Sequence, residues 1–95
     1  MKVRGTKLIS KFQANHASSA SRLSAWTTTM RGNDYGSLVD LKKHFQQADL
    51  VGDRVVFNIG NTYRLIAMID FSIKIVLVWW IGTHAEYAKI DAKKV

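Results

Sequence analysis

Apolar residues recur at helical spacing in the first half of the chain and at strand spacing in the second. Leu8, Ile9 and Phe12 share one helical face, which predicts a helix from about Thr6 to Asn15 after a short strand at Met1 to Arg4. Ala20, Leu23, Trp26 and Met30 form a second stripe, with Ser18 or Ser19 as its N-cap and Gly32-Asn33-Asp34 as its stop. Ser37 followed by Asp40 reads as an N-cap with an acid in the first turn of a shorter helix. That helix carries Leu38, Leu41 and Phe45, with Lys42 and Lys43 on its polar side.

After Val51-Gly52-Asp53 the period becomes two. Val55 to Ile59 and Thr62 to Asp70 read as a hairpin closed by a two-residue Gly60-Asn61 turn, because Gly and Asn tolerate the positive φ such turns need. That turn sets Ile59 opposite Thr62, Phe57 opposite Arg64 and Val55 opposite Ile66 on one face. Val56, Asn58, Tyr63, Leu65, Ala67 and Ile69 then lie on the other. Ile75 to Ile81 is apolar on both faces, as a covered strand is, and its alternation puts the Trp79 and Trp80 rings on opposite sides. A short helix from about His84 to Ile90 follows. The elements predict an α+β fold, with N-terminal helices packed on a small antiparallel sheet and a short C-terminal helix. No repeat or linker interrupts the pattern, so one domain over residues 1–95 is expected.

Composition narrows the function classes. A chain of 95 residues buries only roughly 60 to 65% of its unfolded surface, enough for one modest core. Hydrophobic residues at 47% exclude a disordered basic tail, and the absence of Cys excludes disulfide frameworks, thiolate zinc sites and cysteine nucleophiles. The run Ile75 to Ile81 is far short of the ~20 residues a membrane span needs, and the first residues hold no apolar secretion signal. A soluble, cytoplasmic protein is therefore expected. The net charge of +7 calls for an anionic partner, with nucleic acid ahead of an acidic protein or an anionic membrane.

The stretch Gly82-Thr83-His84-Ala85-Glu86-Tyr87 carries the most chemistry. Thr83 and Glu86 have the spacing of a capping box, which starts a helix with His84 at its first position and Tyr87 on a neighbouring position of the same face. Free backbone N–H groups and the helix dipole at such a start favour phosphate and place His84 where it is able to act as a base. Ordinary roles stand beside these: Thr83 and Glu86 as structural caps, Tyr87 as a core aromatic, Arg64 as an exposed cross-strand residue, and Lys42, Lys43, Lys93 and Lys94 as solvated charge. Trp26 reads as core, while one of Trp79 and Trp80 is free to stack on a base. His16, His44 and His84 lack paired ligand spacing, and the H-x-E of His84-Ala85-Glu86 lacks the cysteines a zinc deaminase needs, so neither a metal site nor a cofactor is expected. There is no Gly-rich phosphate loop and no nucleophile elbow.

The segment Val-Gly-Asp-Arg-Val-Val-Phe-Asn-Ile-Gly-Asn-Thr-Tyr-Arg-Leu-Ile, starting at Val51, and Ile-Gly-Thr-His-Ala-Glu-Tyr-Ala-Lys-Ile-Asp, starting at Ile81, resemble the HigB family of bacterial toxins. Phe12, His16, Ala20, Leu23 and Trp26 extend the resemblance over almost the whole chain. It implies a RelE-like fold and the toxin component of a type II toxin–antitoxin module. Most members are metal-independent mRNA endonucleases, or mRNA interferases, which inhibit translation by cleaving RNA free or on the ribosome. The implied partner is a HigA-like helix-turn-helix antitoxin, with operator DNA reached only through the antitoxin complex and no membrane involved. Carried over by position, Arg64 stabilises the phosphate in the transition state, and His84 and Tyr87 share proton transfer and base contact. Arg54 and Lys89 bind phosphates, Trp80 offers a stacking surface, and Lys74 supplies further charge. The chain departs from the family at Trp79 and Thr62, where relatives commonly carry basic residues. Two other readings share the fold or the charge: a non-catalytic RelE/ParE-fold toxin, as in members that act on gyrase, and a nucleic-acid-binding adaptor.

Overall fold

The two long apolar stripes become two helices lying on one face of a five-stranded sheet. The computed structural model describes residues 1–95, in the order β1 (Lys2–Arg4), α1 (Thr6–Asn15), α2 (Ala20–Arg31), α3 (Leu38–Leu41), β2 (Asp49–Val51), β3 (Arg54–Ile59), β4 (Tyr63–Asp70), β5 (Ile75–Thr83) and α4 (His84–Tyr87). Helix α1 buries Ile9 and Phe12, and α2 buries Leu23, Trp26 and Met30, which are the positions the helical period selects. Ser19 stands at the N-cap of α2, but its hydroxyl donates to the His16 carbonyl (2.6 Å) instead of capping the helix. Ser37 does cap α3, accepting the Asp40 N–H at 3.2 Å, and that helix closes after one turn. No helix is long and apolar enough to cross a membrane.

The strand order is β1-β5-β4-β3-β2. All pairs are antiparallel, as expected, except that the short edge strand β1 joins β5 in parallel and makes the sheet mixed. Strand β2, not foreseen from the sequence, folds back on β3 through a Gly52-Asp53 turn in which Gly52 takes φ 65°.

The β3–β4 hairpin corrects the expected register. Its loop has three residues, Gly60, Asn61 and Thr62, so Ile59 pairs with Tyr63, Asn58 with Arg64, Phe57 with Leu65, Val56 with Ile66 and Val55 with Ala67. A slip of one residue moves every β4 side chain to the opposite face. Packing explains the outcome. The observed register gathers Val55, Phe57, Ile59, Tyr63, Leu65 and Ala67 under the helices, whereas a two-residue turn would have set the Arg64 guanidinium beside buried Phe57. Trp26 and Phe45 each meet Phe57 edge-on, at centroid distances of 5.4 and 5.3 Å.

A second irregularity lies in β5, where Ile66 pairs with Trp80 and Ala67 with Val78, so that Trp79 is skipped. The bulge breaks the alternation that would have sent the two indoles to opposite faces. Trp80 packs on the outer face, away from α1 and α2, with Val56, Ile66, Tyr87, Ile90 and Ala92. Trp79 also turns toward the segment covering that face, its Nε1–H donating to the Val95 carbonyl at 2.6 Å. The expected helix to Ile90 is a single turn ending at Tyr87, after which the chain continues in turns that seat Ala92 against Val56 and Ile66.

Candidate active site

Strand register assembles the site. In the β4–β5 ladder Arg64 lies across from Gly82, and Tyr63 across from Thr83. His84 follows directly, and its backbone N–H donates to the Thr62 carbonyl at 2.7 Å, pinning α4 to the β3–β4 loop. Arg64 and Gly82 share the outer face with Trp80, on which the Tyr87 ring packs at a centroid distance of 6.2 Å. Arg64 and Tyr87 thus share the outer face, and the chain enters α4 with His84 at the same end of the sheet. Arg64 is half-buried, with Nη1 donating to the carbonyls of Tyr63 (2.8 Å) and Asn61 (3.4 Å). It has no carboxylate partner, so its Nη2 and Nε donors are left for an anion.

The α4 start differs from the expected anion site. The capping box forms, with the Thr83 N–H donating to Glu86 Oε1 (2.8 Å) and the Glu86 N–H donating to Thr83 Oγ1 (3.1 Å). With the His84 N–H also taken by Thr62, three of the four N–H groups at this end already have partners. A phosphate here depends on side chains. Glu86 is committed to the cap: donation from the Thr83 N–H, chiefly, and then from its hydroxyl holds the carboxyl below its ordinary range, with the His16 and Lys89 charges acting in the same direction. His84 is exposed and Tyr87 half-buried against Trp80.

Lys89 lies just beyond α4, exposed and close enough to influence Glu86. Of the remaining sequence candidates, Trp80 lies at this end, whereas Arg54 and Lys74 are not brought to it. Arg54 starts β3 at the far end of the sheet, where its guanidinium donates to the carbonyls of Lys93 (2.7 Å) and Val95 (2.6 Å) and pairs with Asp53. Lys74, in the β4–β5 turn at φ 61°, gives its ammonium to the Tyr35 carbonyl (2.8 Å). Trp80 covers Gly82 and packs into the outer-face cluster, and Trp79 is the more exposed indole of the pair.

Two groups near the site were missed in the sequence. Asn58 is the β3 partner of Arg64, and its Nδ2 donates to Gln47 Oε1. Only the three-residue loop reveals this pairing. On the opposite face at the same end, His16 stacks on Phe12 at 4.1 Å and meets Tyr63 edge-on, while the Tyr63 hydroxyl bonds to Ser18. This aromatic cluster supports the strand that carries Arg64.

The family model of HigB toxin, described as the RelE-like toxic component of a toxin-antitoxin system, matches residues 19–90. The chain belongs to the HigB toxin family. No curated protein matches it. As a HigB-family toxin it is the toxic component of a toxin–antitoxin system, which implies an antitoxin partner. The matched span runs from the start of α2 past α4 and contains Arg64, His84, Tyr87 and Lys89. His16, on the underside of this end, lies outside it.

Proposed function

We propose that this HigB-family toxin is a metal-independent mRNA endonuclease that acts in the cytoplasm, arrests translation, and is neutralised by a HigA-like antitoxin. The observation that carries the reading is the pairing of Arg64 with Gly82, which sets an unpaired guanidinium beside the start of the Thr83-His84 turn and on the face that holds Tyr87. RNA supplies its own nucleophile. The 2′-oxygen attacks the adjacent phosphorus, the P–O5′ bond breaks, one proton leaves the 2′-hydroxyl, and another reaches the departing 5′-oxygen. His84 and Tyr87 share these two transfers as a pair, Arg64 stabilises the extra charge on the phosphorane, and Lys89 meets a neighbouring phosphate. The products are a 2′,3′-cyclic phosphate, or the 3′-phosphate from its hydrolysis, and a 5′-hydroxyl.

The test maps RNA 5′ ends after brief expression, and again with purified RNA with and without ribosomes. New 5′-hydroxyl ends are expected with the wild type, and their loss with His84→Ala and Arg64→Ala, while antitoxin binding persists. Losing one transition-state cation costs on the order of 3 kcal/mol, or roughly a hundredfold or more in rate. Full cleavage by both variants would remove the site assignment. Supercoiling inhibition without new RNA ends would replace the nuclease with a gyrase-directed toxin.

A further inference from the structure

Strand β2 covers β3 only over Arg54 to Val56, which leaves the outer edge of β3 from Phe57 to Ile59 without a strand neighbour. Between that edge and the segment after α3 lies a groove of about 310 Å³, lined by His44, Phe45, Gln46, Gln47, Phe57 and Asn58. It is next to the proposed catalytic end, because Asn58 is the ladder partner of Arg64 and side chains so paired sit ~5 Å apart. Its polar groups are pre-ordered. Asn58 Nδ2 donates to Gln47 Oε1 at 2.5 Å, and His44 Nδ1 is bonded to the Tyr35 hydroxyl at 2.8 Å. Asn58 Oδ1 and Gln47 Nε2 have no protein partner, so the amide pair keeps both acceptor and donor capacity free.

We infer that this groove is a base-reading subsite, in which the Asn58–Gln47 pair takes the edge of the nucleobase next to the scissile phosphate. The inference rests on the nuclease reading above. The ligand class is single-stranded RNA, whose unstacked bases offer hydrogen-bonding edges to side chains. Nucleobase edges set a donor beside an acceptor, the complement of what the pair presents. Four of the groove's lining residues, His44, Gln46, Gln47 and Asn58, are polar, and the chain's net charge of +7 draws in the RNA backbone that would place a base there.

The experiment measures relative cleavage, with ribosomes present and absent, of short single-stranded RNAs differing by one base on either side of the cut. The wild type is expected to favour one base at one adjoining position. Asn58→Leu and Gln47→Leu are expected to reduce that discrimination about tenfold while preferences at other positions persist, as for loss of a two-bond base contact. Gln47→Glu replaces a donor with an acceptor and is expected to move the preference to another base, which a merely structural role would not do. Both positions are exposed, and thermal unfolding confirms that the variants fold. An unchanged preference in all three variants overturns the subsite, as does weakened antitoxin binding with base preference intact, which would assign the groove to the antitoxin. If the wild type cuts no RNA, the nuclease reading fails. Titration of labelled single-stranded RNA then decides the subsite: weaker binding by both leucine variants supports it, and equal binding overturns it.

Discussion

The indole of Trp80 lies over Gly82 so closely that a Cβ on Gly82 would fall 2.3 Å from its Cη2 atom. Gly82 has an ordinary φ, so it is required for space. Gly82→Ala must push the ring off a face it shares with Val56, Ile66 and Tyr87, and overpacking of this kind costs ~1–3 kcal/mol. Denaturant unfolding should show that loss, and the same substitution in a Trp80→Leu background should cost much less, since the two residues are coupled by direct contact.

Arg54 holds the C-terminal segment. Its two carbonyl bonds to Lys93 and Val95 come from a guanidinium that is 14% exposed, and hydrogen bonds to charged groups are each worth about 1.5–3 kcal/mol. Arg54→Met should therefore speed amide exchange at Lys94 and Val95, whose N–H groups bond to the Asp91 carbonyl, and lower stability by on the order of 2 kcal/mol. Exchange measured by mass spectrometry on residues 91–95 checks this.

Arg64→Lys separates charge from geometry. Nη1 is anchored on the Tyr63 carbonyl, which leaves the rest of the planar fork aimed outward, and an ammonium on a flexible stem cannot reproduce that arrangement. RNA cleavage should fall at least ~10-fold in kcat/KM, while the salt dependence of RNA binding, which counts charges, should change little.

The α4 cap should fail only in acid. The Glu86 carboxyl is held below its ordinary 4.5, mainly by the Thr83 N–H, so its contribution is complete above that value and is lost as pH falls through the lowered folded value. Amide exchange at Glu86 should be protected to the same degree from about pH 5 upward, after correction for intrinsic rates, and lose protection below about pH 4. Glu86→Gln keeps the acceptor and should remove this acid step. Asp34, Asp40 and Asp70 are lowered too, so global stability also declines in acid and the local signal at α4 is the one to read.

What was legible in the sequence was local. The periods that bury Ile9, Phe12, Leu23, Trp26 and Met30 are intrinsic to the helix, and the Thr83–Glu86 box is a contact between residues one turn apart, so these followed from spacing alone. The fate of Arg64 was not local. A Gly-Asn turn fits a two-residue hairpin as readily as the first part of a three-residue loop, and only the packing of Tyr63, Leu65 and Ala67 under α1 and α2 chose between them. That choice put Arg64 on the outer face with Tyr87 and beside Asn58. Tertiary structure likewise gave Arg54 and Lys74, which the family resemblance had placed among the RNA-binding residues, to carbonyls far from the site. The sequence by itself determined the helices and the faces they bury, because those depend on neighbours within a turn. Which strands paired, in what register, and which charges remained free to meet phosphate were decided only by the burial of one sheet face against two helices.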